Sequence, residues 1–257
     1  LISWALEVEY DGTPFMGWQR QKHGLAVQQV MEEAGAKLCA GAIPLAAASG
    51  RTDAGVHALG QVVQMDLPEL SAIRIREALN YHLKPHPVVV LRASPAPPGW
   101  NARFSAISRT YRYVILNREV WPVLEANRVW HVRAKLDEAA MDRAAKSLLG
   151  NHDFSSFRAA ACQAKSPVKT LDELAVRRDG EHVIVHANAR SFLHHQVRNM
   201  VGTLRMVGDG SWPETRIAEI LAARNRAAAG AMAPAEGLYL LNVGYARPIF
   251  LDQTMAQ

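Results

Sequence analysis

Apolar and polar positions alternate over residues 4–10 (Trp4, Leu6, Val8 and Tyr10 on one side), the period of a half-buried strand. Val27, Val30, Met31, Ala34 and Leu38 then recur at helical spacing and predict a helix with one apolar side. Strand-like runs at 45–49 and 61–67 flank a glycine-containing bend. Ser71 stands where a helix N-cap belongs, ahead of Ile75, Ala78 and Leu79 facing inward. A short buried strand is expected at 88–91. The segment Ser94-Pro95-Ala96-Pro97-Pro98-Gly99 then interrupts regular structure and marks the expected domain boundary.

Beyond that boundary the same order of elements recurs. Residues 110–116 read as a strand, and Asp137 as the cap of a helix carrying Met141, Ala144, Leu148 and Leu149 on one side. Runs at 171–177 and 182–189 form a hairpin around Asp179-Gly180. Helices at about 194–207 and 213–222 follow, and a last strand at 238–245. The expectation is an α+β protein of two similar β-α-β-β-α-β halves, 1–99 and 100–257, with mainly antiparallel sheets. The similarity lies in the order of elements, not in residue-level repetition.

Composition narrows the class. Of 257 residues, 49% are hydrophobic and 21% charged, so the chain can bury a substantial core and is not a disordered protein. No apolar run approaches the roughly 18 residues a membrane span needs. No charged segment followed by an apolar stretch opens the sequence. Two cysteines, Cys39 and Cys162, cannot build a disulfide framework and lack zinc-type spacing, so a reducing, cytoplasmic setting is expected. The net charge of +5, carried mostly by arginine, leans toward a nucleic-acid partner, although genomic base bias also enriches arginine and alanine.

Candidate chemistry gathers in four places. Gly50-Arg51-Thr52-Asp53-Ala54-Gly55-Val56-His57-Ala58 sets one carboxylate between two glycines, with Arg51 two residues away. Such a bend suits close approach by another group and an ionised, nucleophilic carboxylate. An aspartate there also serves simply to hydrogen-bond its own backbone. The segment 10–21, rich in glycine, aromatic and amide groups, fits either a surface that meets bases and phosphates or a loop around a buried Trp18. Tyr111 and Tyr113 share one face of a strand, open to base stacking or to core packing. On the helix after Phe192, the stripe Val197, Met200, Val201, Leu204 and Val207 faces inward. His194, Arg198, Gly202 and Arg205 run along another side, which is either a solvated basic face or one where Arg198 is partly buried and wants a carboxylate. Gly202 costs a helix about 1 kcal/mol relative to Ala, which a close neighbour would explain.

Metal and cofactor chemistry find little footing. Adjacent His194 and His195 are expected to point in different directions, and His182 and His186 stand roughly 13 Å apart on an ideal strand. No phosphate-cradling glycine loop, nucleophile elbow or dinucleotide fingerprint occurs, so no metal and no nucleotide cofactor are expected.

Taken together, these segments resemble the tRNA pseudouridine synthase A family nearly end to end. The matching blocks are 10–21, 50–58 with Gly60-Gln61-Val62-Val63, 102–106, 109–113, 150–158, Cys162-Gln163, 166–168, 192–202 and Pro234-Ala235-Glu236-Gly237-Leu238. The resemblance implies two sheets flanking a central cleft and isomerisation of uridine to pseudouridine in the tRNA anticodon stem-loop, at positions 38 to 40. It places the nucleophile on Asp53, its arginine partner on Arg198, base stacking on Tyr111 and an apolar base contact on Leu238. Arg51 is implied in filling the space of the flipped base, and Asn101, Arg103, Phe104, Gln163 and Lys165 in holding RNA. It implies no cofactor, a homodimer and no membrane partner. Trp100-Asn101 and Ala26 depart from the residues common in the family. A non-catalytic RNA-binding or chaperone protein of the same fold is the alternative, for which an intact Asp53, Tyr111 and Arg198 set has no evident use. A nucleoside hydrolase would share the glycosidic chemistry but act on free nucleosides.

Overall fold

A computed structural model describes residues 1–250. The chain divides into two compact units, one of residues 1–107 together with those from Leu240 on, the other Ser108–Tyr239. The changeover at 107/108 lies beyond the proline-rich segment. Val88–Pro95 is a single strand, so Ser94 and Pro95 end an element instead of interrupting the chain, and Ala96 N donates to Ser3 O at 2.8 Å. The final strand also differs from the expected division, because its residues from Leu240 on belong to the first unit.

The first unit follows the predicted order: β1 (Ile2–Tyr10), α1 (Val27–Leu38), β2 (Ala47–Ala48), β3 (His57–Leu67), α2 (Ala72–Leu83) and β4 (Val88–Pro95). β1 lies between β3 and β4, antiparallel to both, and β2 pairs antiparallel with β3. Trp4, Leu6, Val8 and Tyr10 are buried, as alternation requires. Ser71 caps α2 by accepting from Arg74 N. Ala26, at the N-cap of α1, is fully buried and offers no side-chain cap. The first amides of α1 are met instead by backbone, Val27 N by Gly17 O at 3.2 Å and Gln28 N by Trp18 O at 2.9 Å. This chain thus caps the helix with the preceding loop.

The second unit holds β5 (Ala106–Asn117, from Ser108), β6 (Trp130–Val132), α3 (Glu138–Ala145), β7 (Gly150–Asp153), β8 (Val168–Asp179), β9 (His182–Ala189), α4 (Gln196–Gly208), α5 (Arg216–Ala223) and the start of β10 (Leu238–Tyr245). Its sheet runs β5-β9-β8-β7, antiparallel throughout, with β6 parallel to β5. β9 alternates strictly, with Val183, Val185, Ala187 and Ala189 inward. The two-residue turn Gly180-Glu181, with Gly180 at φ +57, closes the predicted hairpin. Asp137 caps α3 by accepting from Ala140 N at 2.9 Å. β6 and β7 escaped the sequence reading because three or four residues carry too little periodicity. Among the described residues, no helix is long and apolar enough to cross a membrane.

Helix α4 is buried on nearly every side. The expected apolar stripe is in the core, and the opposite side is covered too: a Cβ on Gly202 would collide with Ala231 O. The solvated basic face is therefore not what forms. Gly202→Ala should destabilise the protein by about 1–3 kcal/mol through overpacking, against a helix-propensity gain of roughly 1 kcal/mol. Urea unfolding of the variant measures the balance.

Candidate active site

In the first unit, residues 49–57 form the link from β2 into β3, and almost every fixed point on it is supplied from segment 10–18 or from β3 itself. Gln61, fully buried on β3, accepts from Ser49 Oγ at 2.7 Å and donates through Nε2 to Gly50 O at 2.8 Å. Tyr10 OH lies 2.8 Å from Thr52 Oγ1, both groups buried. Trp18 N donates to Thr52 O at 3.0 Å, and Gly55 N to Phe15 O at 3.3 Å. Val56 N donates to Asp53 O at 3.1 Å, closing the bend, with Gly55 at φ +78. The close approach anticipated at this motif is real, but it is made by other glycines. A Cβ on Gly17 would stand 2.7 Å from Thr52 O, and one on Gly12 would collide with Val56 O. Gly50, in contrast, faces open space.

Asp53 itself is half-buried, and Arg51 is exposed. Segment 10–18 therefore works inward: Tyr10, Phe15 and Trp18 are buried at 3%, 2% and 3% exposure, which leaves Met16 and the polar residues after Trp18 outside. Its aromatic rings serve as the seat of the Asp53 bend and offer no stacking surface. His57 Nδ1 accepts from Gly12 N at 3.0 Å and has Asp11 Oδ1 at 3.2 Å. Further along, Asn101 Oδ1 accepts from Arg103 N and Phe104 N at 2.9 and 3.0 Å, shaping a turn that leaves Phe104 77% exposed with the Arg103 guanidinium 5.6 Å over its ring.

In the second unit, strand alternation puts Tyr111 and Tyr113 on the same face and packing separates their roles. Tyr113 is in the core, donating to Pro234 O at 2.8 Å, and burial pushes its phenol far above the usual range. Tyr111 is half-buried, its ring edge-on to Phe192 at 5.3 Å. Arg198, in the first turn of α4, is 8% exposed. Its Nε donates to Ala233 O at 2.8 Å, and Ala233 N returns a bond to Arg198 O at 3.1 Å, which fixes the plane of the guanidinium. Pro234 leads through Gly237, whose Cβ would lie 2.6 Å from the Tyr113 ring, to Leu238, 6% exposed. Gln163 and Lys165 are exposed, in the loop tied to the segment before α4 by Ala159 N donating to His194 O at 2.9 Å.

One histidine expectation is revised. His194 and His195 do not diverge: His195 adopts a left-handed conformation, φ +64, which brings the two rings to 3.8 Å. His182 is engaged by Glu125 at 3.0 Å.

Asp53, Arg51, Asn101, Arg103 and Phe104 thus belong to the first unit, and Tyr111, Arg198, Leu238, Gln163 and Lys165 to the second. Tyr10, Gly12 and Gly17, noted only as part of segment 10–21 and of the first strand, and Gln61, noted only within a matching block, had no role of their own in the sequence reading. The two glycines, in a loop otherwise lined with bulky side chains, were the available signal.

Comparison with known proteins points one way. A sequence profile described as tRNA pseudouridine synthase matches residues 7–105 and 144–246. The protein named tRNA pseudouridine synthase A of Acidiphilium cryptum (strain JF-5) is 61% identical over 244 residues, 94% of this chain and 96% of its own length. Its namesake from Rhodospirillum centenum (strain ATCC 51521 / SW) is 57% identical over 94% of this chain and 99% of its own. That of Gluconobacter oxydans (strain 621H) is 55% identical over 95% and 90%.

Proposed function

The chain belongs to the tRNA pseudouridine synthase family, enzymes that isomerise uridine to pseudouridine in tRNA, and from that premise we propose that Asp53 is its nucleophile and the anticodon stem-loop, at positions 38 to 40, its target. The observation that carries the assignment of Asp53 is the construction of its bend. A carboxylate that merely satisfied a turn would need no such seat, whereas this one sits on backbone pinned at Ser49, Gly50, Thr52 and Gly55.

The reaction breaks the N1–C1′ bond, turns the uracil and forms C5–C1′. The C5 proton is lost and N1 regains one, so the atoms balance with no oxidant or cofactor. Leaving the stack costs the target base a few kcal/mol, which contacts to the RNA offset. In this reading Asp53 acts on the uridine and Arg198 is its cationic partner, its guanidinium plane already set by Ala233. Tyr111 stacks on the uracil, braced by Phe192, and its hydroxyl carries a proton. Leu238 supplies the apolar contact. Arg51 fills the place of the flipped base, and Asn101, Arg103, Phe104, Gln163 and Lys165 hold the RNA around it. A cytoplasmic setting and a homodimer complete the proposal. The exposed apolar run Trp121, Val123 and Leu124, at 69%, 71% and 95% exposure, favours self-association.

Tritium release from C5-labelled uridine in tRNA tests the assignment. Asp53→Asn should reduce release by at least about 10³-fold while tRNA binding is retained; wild-type turnover by that variant would rule out the nucleophile. Arg198→Lys keeps the charge but loses the planar fork and its bond to Ala233. A fall in kcat of roughly tenfold or more, with little change in KM, is expected in the same assay.

A further inference from the structure

The Asp53 bend is held at Thr52, the residue before the carboxylate, by a side-chain contact that takes no part in bond making or breaking. Tyr10 ends β1, and its ring is buried against Trp18, with centroids 6.3 Å apart. A phenylalanine would fill the same space. What the tyrosine adds is one hydroxyl, 2.8 Å from Thr52 Oγ1, on the residue directly before Asp53. The pairing of β1 with β3 is built to deliver that hydroxyl. Val8 stands opposite Gln61 but Tyr10 opposite Ala58, so β3 carries an extra residue at this point. The irregularity re-aims the end of β1 toward the bend. Thr52 is thereby gripped twice, at its side chain by Tyr10 and at its carbonyl by Trp18 N. Burial pushes the Tyr10 phenol up to about 12, so it is neutral at working pH and keeps the hydrogen bond intact.

We propose that the Tyr10–Thr52 hydroxyl pair is a positioning device that holds the Asp53 carboxylate in its reactive place. This rests on the reading of Asp53 as nucleophile. Neither residue is a catalytic residue; each acts through the backbone of the bend. Reaction rates respond steeply to such placement, since a displacement of about 1 Å can cost on the order of a hundredfold. Binding of tRNA, spread over many contacts, does not.

Removing the Tyr10 hydroxyl takes from the buried Thr52 hydroxyl this partner, and removing that of Thr52 leaves the phenol only the Gln61 side chain, whereas removing both restores a matched apolar contact between residues 10 and 52. Structural and positioning roles therefore separate in a double variant. Single-turnover rates, KM for tRNA and thermal unfolding would be measured for Tyr10→Phe, Thr52→Val, the double variant, Thr52→Ser and Asp53→Asn. Both single variants should lose stability and react about tenfold to a hundredfold more slowly. The double variant should regain most of the wild-type melting temperature yet stay slow, with KM within about twofold of wild type. Thr52→Ser, which keeps the hydroxyl, should retain the rate. Recovery of the wild-type rate together with stability in the double variant would overturn the inference. An inert Asp53→Asn beside a fully active double variant would sink the positioning role alone. A fully active Asp53→Asn would remove the nucleophile and this inference with it.

Discussion

One backbone hydrogen bond, Trp18 N to Thr52 O, fastens the two most informative loops of the first unit to each other. It forms only because Gly17 lacks a side chain, and its neighbours deepen the contact. Gly12 lies against Val56 O, Phe15 O receives Gly55 N, and the carbonyls of Gly17 and Trp18 go on to cap α1. Segment 10–18 is thus a keystone with three dependants: the Asp53 bend, the start of α1 and the inner aromatic cluster of Tyr10, Phe15 and Trp18. Backbone-to-backbone anchoring of this kind fixes position more tightly than side-chain contacts, because no rotamer freedom separates the anchor from the chain it holds.

The second unit solves the equivalent problem with a helix and an irregular strap. Helix α4 begins after a residue in the left-handed conformation, a strained start that Gln196 eases by accepting from Leu193 N at 2.8 Å. Around its side runs chain 226–237, bonded at Asn199 through Arg226, at Thr203 through Gly230, at Arg198 through Ala233 and at Tyr113 through Pro234. Asn199 in turn donates to Phe157 O at 2.9 Å, so the buried polar groups of α4 are spent on holding neighbouring chain.

Much of this was legible in the residues. Regular alternation announced β1 and β9, and Ser71, Asp137 and Gly180 marked their elements through side-chain caps or a backbone conformation that only local sequence decides. Gly202 stood out because glycine is costly inside a helix, whereas Arg198 fitted a solvated face equally well until the resemblance gave it a role, and both proved covered. Other features lay beyond reach because they depend on distant partners. Alternation places Tyr111 and Tyr113 on one face but cannot say that Pro234 and Gly237 will enclose the second. The Tyr10–Thr52 contact joins residues 42 apart through an irregular strand register that no periodicity reveals. The bend at 94–99 misled because proline tolerates the end of a strand as readily as a loop.

The strap around α4 has a mechanical corollary. Within twelve residues it touches the helix at Asn199, Arg198 and Gly202, then the Tyr113 ring, and only then releases into Leu238. A guanidinium and an aliphatic side chain forty positions apart therefore share one stiff lever. Any displacement of that lever, by mutation or by a bound molecule, shifts the cation and the hydrophobe in concert, so polarity and shape on this side of the protein cannot be tuned independently.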